Sequence, residues 1–549
     1  MNHQPLSAED SSHKTPGDAS GETWVETLTL SGTPAEEPAG IAGTLSKNIA
    51  ISLARVLVNS LIALVLPAYL THHMPANVYG AWVLILQLGA FVSFLDLGVQ
   101  TAVAKFVAEY DAKADQAGAS RFASAGLAIT AITGLIGAGL TLILAWQVPR
   151  LFHAMPESLY RDVRISVVLV GTSLAFGLVC SIYSAVFLGL QRYLIPTGIA
   201  ILNRLAFSIA ILAAVFLHGS LAAMGMTVAV VNIFTGLLQV GAWHRLVSRI
   251  RLSLSLLDST ALKQMLRYCL LLAIWMVGMV CVSGLDITIV GHYAYEQTAY
   301  YSIATLPTNF VIVIIGSILG PLMPASSALS TKRSPTEMGG ILARATRYST
   351  LLLLLTGLPL IVYGLPILRL WVGPVYAHQS LKYLRILVFA NILRQLCAPY
   401  ATMVAATGKL KEATAAPVLE AIVNLASSVY LASRFGAIGV AYGTLIGSLV
   451  SISLHFAVSM KFTYNTVTIA RTKLFLASIL RPAIVALPSL LLFATWHIWS
   501  QSRYGVTLFT IWAISTILCA WFGSLTREER SKLESLAKSR LKLFAASST

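Results

Sequence analysis

The sequence predicts an all-α polytopic membrane protein of about fourteen transmembrane helices, and three observations predict it. Of 549 residues, 56% are hydrophobic and 11% charged, with a mean hydropathy of +0.76. Soluble domains are roughly a quarter charged, so no water-soluble packing hides this much apolar surface. Apolar runs of the length that a helix needs to cross the hydrocarbon, about 20 residues, recur along the chain. The third observation is charge: 38 Lys and Arg against 22 Asp and Glu give +16, and the bases alternate between loops. A pI near 9.7 would otherwise raise nucleic-acid binding. The apolar excess instead places the bases beside a membrane, and no nucleic acid is expected as a partner.

The first 44 residues differ from the rest of the chain. They are rich in Ser, Gly, Pro and Thr and hold seven acids against one base, Lys14. Such a tail cannot bury enough apolar surface to offset its ordering entropy, so it is expected to be disordered. It lacks the basic start and short apolar core of a signal peptide. Spans are then expected at 49–70, 78–99, 122–148, 165–188, 196–217, 221–243, 268–290, 303–325, 348–368, 384–404, 413–433, 437–459, 480–499 and 504–523. With the N-terminus inside, the inner tails and loops hold 27 of the bases and the outer loops 7, with Arg55, Arg204, Arg385 and Arg394 left inside spans. This asymmetry puts both termini in the cytoplasm. The segment 526–549 reads as a basic amphipathic tail, with Leu533, Leu536, Leu541 and Phe544 near one face. It suits either the anionic inner leaflet or solvent.

The loops leave no room for a folded extramembrane domain. No phosphate-binding GxxxxGK[ST], HExxH or GxSxG occurs, so neither a cofactor nor catalysis is expected. The five cysteines, Cys180, Cys269, Cys281, Cys397 and Cys519, all lie in apolar runs. They read as small packing residues, with no metal site and no disulfide framework.

Six spans (45–244) precede the most basic loop, 245–267, and six more (268–460) come after it, with two further helices in 461–525. An even number of spans per half orients both halves alike, as in parallel-repeat transporters. A Tyr-containing turn lies near the second span of each half, at 72–80 and 292–301.

The stretch Leu66-Pro67-Ala68-Tyr69-Leu70, Tyr79-Gly80-Ala81-Trp82, Leu95-Asp96-Leu97-Gly98-Val99 and Ala104 to Glu109 resembles the opening of polysaccharide-type flippases. These belong to the multidrug/oligosaccharidyl-lipid/polysaccharide exporter superfamily. Leu285-Asp286-Ile287-Thr288-Ile289-Val290-Gly291 with Ala299-Tyr300 resembles that family's seventh-helix signature. The acidic N-terminal tail departs from the family's pattern. The resemblance implies a bacterial inner-membrane flippase that moves undecaprenyl-diphosphate-linked oligosaccharide outward by alternating access, for O-antigen, capsule or exopolysaccharide. The lipid-linked oligosaccharide, membrane lipids, a polymerase and glycosyltransferases are the implied partners.

A diphosphate head group needs a wet, cationic path, and Arg binds phosphate bidentately without losing its charge. A charge at mid-membrane costs about 2.5–3.5 kcal/mol on insertion scales, so Arg55, Arg204 and Arg394 are substrate candidates, and Asn59 shares the Arg55 face. The structural alternative pairs Arg55 with Asp96 and Arg394 with Glu420. Arg385 lies nearer an outer end and is expected to snorkel. Asp96, Asp286 and Glu420 are the carboxylates within spans, candidates for a coupling proton or sodium. Asn309 and Gln395 read as interhelical hydrogen-bonding groups. Gly126, Gly134, Gly137 and Gly139, and Pro67, Pro321, Pro324, Pro359 and Pro399, are expected to allow close packing and bending. Tyr69, Trp82, Trp146 and Trp371 are expected at membrane interfaces.

Two competing readings remain. A multidrug exporter of the same superfamily would want carboxylates and aromatics around a cation, whereas four arginines against three acids favour an anion. A membrane glycosyltransferase or polymerase would present a large loop with clustered acids, and this chain has short loops and no DxD.

Overall fold

Long apolar runs with few breakers give long helices, and among the described residues no strand occurs. The computed structural model describes residues 59–247, 249–280, 284–320, 322–407 and 410–485, with scattered positions beyond. Helix α1 covers 59–73, succeeded by α2 (Ala76–Ser93), α3 (Val99–Ala112), α4 (Gln116–Leu151), α5 (Glu157–Gly189), α6 (Leu194–Phe216) and α7 (Leu221–Leu246). After the most basic segment come α8 (Ser259–Met279), α9 (Asp286–Tyr293), α10 (Thr298–Leu319), α11 (Leu322–Ser330) and α12 (Pro335–Val372). The series ends with α13 (Pro374–Gln395), α14 (Ala398–Ala406), α15 (Leu410–Phe435) and α16 (Ala437–Leu454), then a π-helical turn, His455–Ser459.

Ten helical stretches among these residues are long and apolar enough to cross a membrane, and the chain is a multi-pass membrane protein. The expected first span is seen from residue 59 onward, and the seventh is divided between α8 and α9. The expected spans 480–499 and 504–523, and both tails, fall largely outside the described residues, as do Arg55, Cys281, Pro321 and Cys519.

Local chemistry sets the helix ends. Asp115 accepts from the Gly118 N–H at 2.7 Å and so starts α4. Ser334 and Glu337 form a reciprocal capping box at the start of α12, satisfying two donors that the first turn leaves free. Between α2 and α3, Leu97 and Gly98 both adopt left-handed backbone, which breaks one apolar run into two helices. Helix α12 has 38 residues, about 57 Å at 1.5 Å per residue against a hydrocarbon core of about 30 Å. It therefore extends well past the bilayer, and Arg344 and Arg347 ride on it rather than on the loop that the sequence implied.

Helices α2 to α7 pack mainly on one another, as do α10 to α16. The basic segment between these groups is docked. Arg251 N–H donates to Ser120 Oγ (3.0 Å) and Ser253 N–H to Ser124 Oγ (3.1 Å). Ile250, Ala261, Met265 and Cys269 join a core with Val99, Phe106, Phe122 and Ile182. Cys180, Cys269 and Cys397 are buried and unbridged, as packing residues should be.

The closest helix pair is α15 with α16, reversed at Gly436, whose φ of 65° favours glycine. Beyond the turn, Gly439, Gly443 and Gly447 repeat every four residues. They face the Leu431 carbonyl, the Ser428 backbone and Asn424 respectively, the close approach that small-residue repeats permit in membranes. A Cβ at Gly443 would stand 2.5 Å from Ser428 Cα, so Gly443→Val must push the helices apart. Overpacking costs about 1–3 kcal/mol or more, and its thermal unfolding midpoint in detergent should fall by several degrees. Gly139→Val is the control, because a Cβ there meets nothing within 4 Å, and it should melt like the parent. The other three glycines expected to pack do so: Gly126 against Val103, Gly134 against Val179 and Gly137 against Val92.

Candidate functional site

The α15–α16 approach creates a buried polar cluster in the second half. On α15, Glu420, Asn424 and Ser428 recur at four-residue spacing and are all buried. Helical periodicity puts them on one stripe. Ser428 Oγ donates to Asn424 Oδ1 at 3.1 Å. From α16, Thr444 Oγ1 reaches Asp286 Oδ2 at 3.5 Å, and from α10 the Tyr301 hydroxyl donates to the same oxygen at 3.3 Å. Asp286 is the first residue of α9, directly after the division of the seventh span.

Arg394, near the end of α13, completes the cluster. Its Nε donates to Glu420 Oε1 at 2.5 Å, with side-chain exposures of 16% and 7%. The charge acting on Asp286 is also Arg394. Arg394 Nη2 is buried with no hydrogen-bond partner. Breaking the run at Leu396–Cys397, before Pro399 restarts α14, leaves Arg394 at a helix end, about 30 Å along α13 from Pro374.

The remaining candidates lie apart from this cluster. Arg204 is half-buried on α6, its guanidinium 5.7 Å from the Phe207 ring, and among the described residues no carboxylate lies within ion-pair distance of it. Asn59 is exposed at the start of the described part of α1. Asp96 sits in the 3-10 turn between α2 and α3 and keeps Oδ1 buried without a partner. Arg385 does not simply reach for the interface: its Nε donates to the Ile361 carbonyl of α12 at 2.9 Å, between Pro359 and Pro366. Asn309 is exposed.

A second feature is a seam between the halves at the end opposite the basic loops. The two Tyr-containing turns meet there: the Tyr295 hydroxyl donates to the Asn77 carbonyl at 2.7 Å. Trp371 Nε1 donates to the Leu64 carbonyl and His292 Nδ1 bonds the Leu151 carbonyl, each at 2.6 Å. Tyr79 and Tyr300 both pack edge-on against Tyr376. Deeper, Gln87 Nε2 donates to the Gly284 carbonyl at 2.6 Å. No ion pair between described residues crosses this seam. Trp82, expected at an interface, is instead one of the largest fully buried side chains, on the α2 face it shares with Gly89, which packs on Val170 of α5. Trp146, also expected at an interface, is 63% exposed with Arg150 against its ring.

The sequence reading missed Tyr301, Thr444 and Ser428 as members of the cluster. For Ser428 and Thr444 the signal was helical spacing of small polar residues, Glu420-Asn424-Ser428 on α15 and Thr444-Ser448-Ser451 on α16; Tyr301 left none.

Comparison with known proteins places this geometry. A family profile described as "Polysaccharide biosynthesis protein" matches residues 45–327. No curated protein matches the chain. Among solved structures, the lipid II flippase MurJ in an inward closed conformation is similar with a TM-score of 0.66 at 13% identity, over 86% of this chain and 98% of that one. An inward-facing multidrug resistance MATE family transporter of the MOP superfamily is similar with a TM-score of 0.56 at 15% identity, over 72% of this chain and 93% of that one. An outward-facing one reaches 0.52 at 16% identity, over 74% and 92%. At these identities the likeness is one of fold.

Proposed function

The chain belongs to the polysaccharide biosynthesis protein family, and from that membership we propose that it flips a polyprenyl-diphosphate-linked oligosaccharide from the cytoplasmic to the outer leaflet of the bacterial inner membrane. The product would feed O-antigen, capsule or exopolysaccharide synthesis, with glycosyltransferases upstream and a polymerase downstream. The observation that carries the reading is guanidinium nitrogen left without a partner inside the spans. Arg204 has no carboxylate beside it among the described residues, and Arg394 Nη2 is buried and unbonded. The unneutralised Arg204 charge and the unmet Arg394 donor are both costly inside a span, and a phosphate oxygen would satisfy either. Arg55 and Asn59 are the candidates that the sequence adds to this set.

The seam closes the end away from the basic loops. With those loops cytoplasmic, the seam would be the outer gate of the carrier. Outward release then requires the seam to part and the basic end to close, with the polyprenyl tail left in lipid. Asp286 and Glu420 would take the coupling cation, and Asp96 would respond at the α2–α3 turn. Asp286→Asn is expected to leave insertion intact and reduce gradient-dependent flipping at least tenfold, read as lipid-linked substrate reaching the outer leaflet of proteoliposomes.

The reading is tested by deleting the gene and complementing it. The parent should restore surface polysaccharide, while Arg55→Ala and Arg204→Ala should each lower it about tenfold or more at equal membrane abundance. Unchanged polysaccharide on deletion, together with new sensitivity to cationic drugs, would instead make the chain a multidrug exporter.

A further inference from the structure

The Arg394–Glu420 pair has one bond made and one donor idle, and this asymmetry carries a consequence for coupling. Glu420 is buried beside Asn424, and its only ion-pair partner among the described residues is Arg394. Asp286 is held separately, by Tyr301 and Thr444. With Arg394 in place, Glu420 is neutralised from within the chain and has little to offer a dissolved cation. We infer that Arg394 is an exchange group: an anionic head group draws the guanidinium off Glu420 through the idle Nη2, and the Glu420 carboxylate then takes up a small cation, sodium or a proton. The inference rests on the flippase reading above and adds how substrate and ion come to bind together.

The physical reason is the cost of a bare buried carboxylate. Removing one member of a buried pair leaves a charge that neither water nor a partner solvates. Exchange avoids that state, because phosphate replaces Glu420 at Arg394 while the cation replaces Arg394 at Glu420. Charge balances at each step, and loss of the cation returns Arg394 to Glu420 and expels the anion. Linkage is reciprocal: whatever factor the anion adds to cation affinity, the cation adds to anion affinity.

The test uses the purified full-length protein in nanodiscs, with inorganic pyrophosphate as the probe. Sodium affinity is measured by calorimetry with and without saturating pyrophosphate. Proton uptake on pyrophosphate binding is measured in two buffers of different ionisation enthalpy. If the cation is sodium, pyrophosphate should raise its affinity about tenfold or more. If it is a proton, binding should take up about one proton per pyrophosphate and ignore sodium. In Arg394→Gln, Glu420 should bind the cation whether or not pyrophosphate is present. In Glu420→Gln, pyrophosphate should bind with no cation dependence, and Arg394→Lys should keep the linkage. Pyrophosphate that binds the parent protein without shifting either cation overturns the exchange and leaves the flippase reading standing. Pyrophosphate that does not bind at all removes both. The measurement on the parent protein decides the matter even where a variant fails to fold.

Discussion

Oxidised Gly80→Cys/Ala299→Cys protein is expected to stop exporting polysaccharide and to resume when reduced. A Cβ built at Gly80 lies 3.8 Å from Ala299 Cβ, inside the range of about 3.5–4.5 Å that disulfides span. Gly80 stands on α2 and Ala299 on α10, the two helices that bring the halves together at the seam. A covalent bond there holds closed the end through which the head group has to leave. The bond should form readily, because it asks for no backbone movement. Export should fall at least a hundredfold in the cross-linked fraction, and each single variant should export normally with or without oxidant. Cys180, Cys269 and Cys397 are buried and offer little competition, and any residual background is removed by replacing the native cysteines with serine. Normal export by protein proven to be cross-linked would mean that the seam does not part during transport.

Arg394→Ala is expected to have the second large effect, and to have it twice over. Export should fall to background, because the head group loses its contact in the second half. Stability should fall as well, since removing one partner of a buried pair costs about 3–5 kcal/mol. The two losses separate in the double variant Arg394→Ala/Glu420→Ala. With no orphaned carboxylate, its thermal midpoint in detergent should return most of the way to the parent value, while export stays absent. Recovery of export together with stability would show that the pair is merely structural, and the substrate would then have to be held elsewhere.

Much of the fold was legible because membranes impose simple rules. Length of apolar run and placement of Lys and Arg locate spans without reference to what packs on what. Arg394 with Glu420 was also legible as a pair, since two opposite charges inside apolar runs have few other ways to be satisfied. Less was legible where the outcome depends on contact between distant helices. Gly439-x3-Gly443-x3-Gly447 reads as one more set of small membrane residues until Ser428 and Asn424 are seen against it. Trp82 reads as an interfacial anchor by composition, yet it is fully buried on the α2 face it shares with Gly89, which packs on α5. Arg344 and Arg347 look like loop bases because the hydropathy of α12 rises only after them, while the helix itself begins at the Ser334–Glu337 capping box. Asp286 was found from its motif, but its neighbours Tyr301 and Thr444 come from helices that no local pattern connects to it.

The seam's makeup also bears on how the membrane voltage enters. It is sealed by Tyr, Trp and His groups bonded to backbone carbonyls, and no ion pair between its described residues has to be carried through the field when it opens. The Arg394–Glu420 pair is neutral as a unit. Parting the seam therefore carries no ion pair of its own through the field, and the potential acts directly on a charged cargo. For an inside-negative membrane, each negative charge carried outward gains about 2.3 kcal/mol per 100 mV. A diphosphate leaving the cell in such a carrier travels down its own electrical gradient, and collapsing the potential should slow export even where no ion gradient is present.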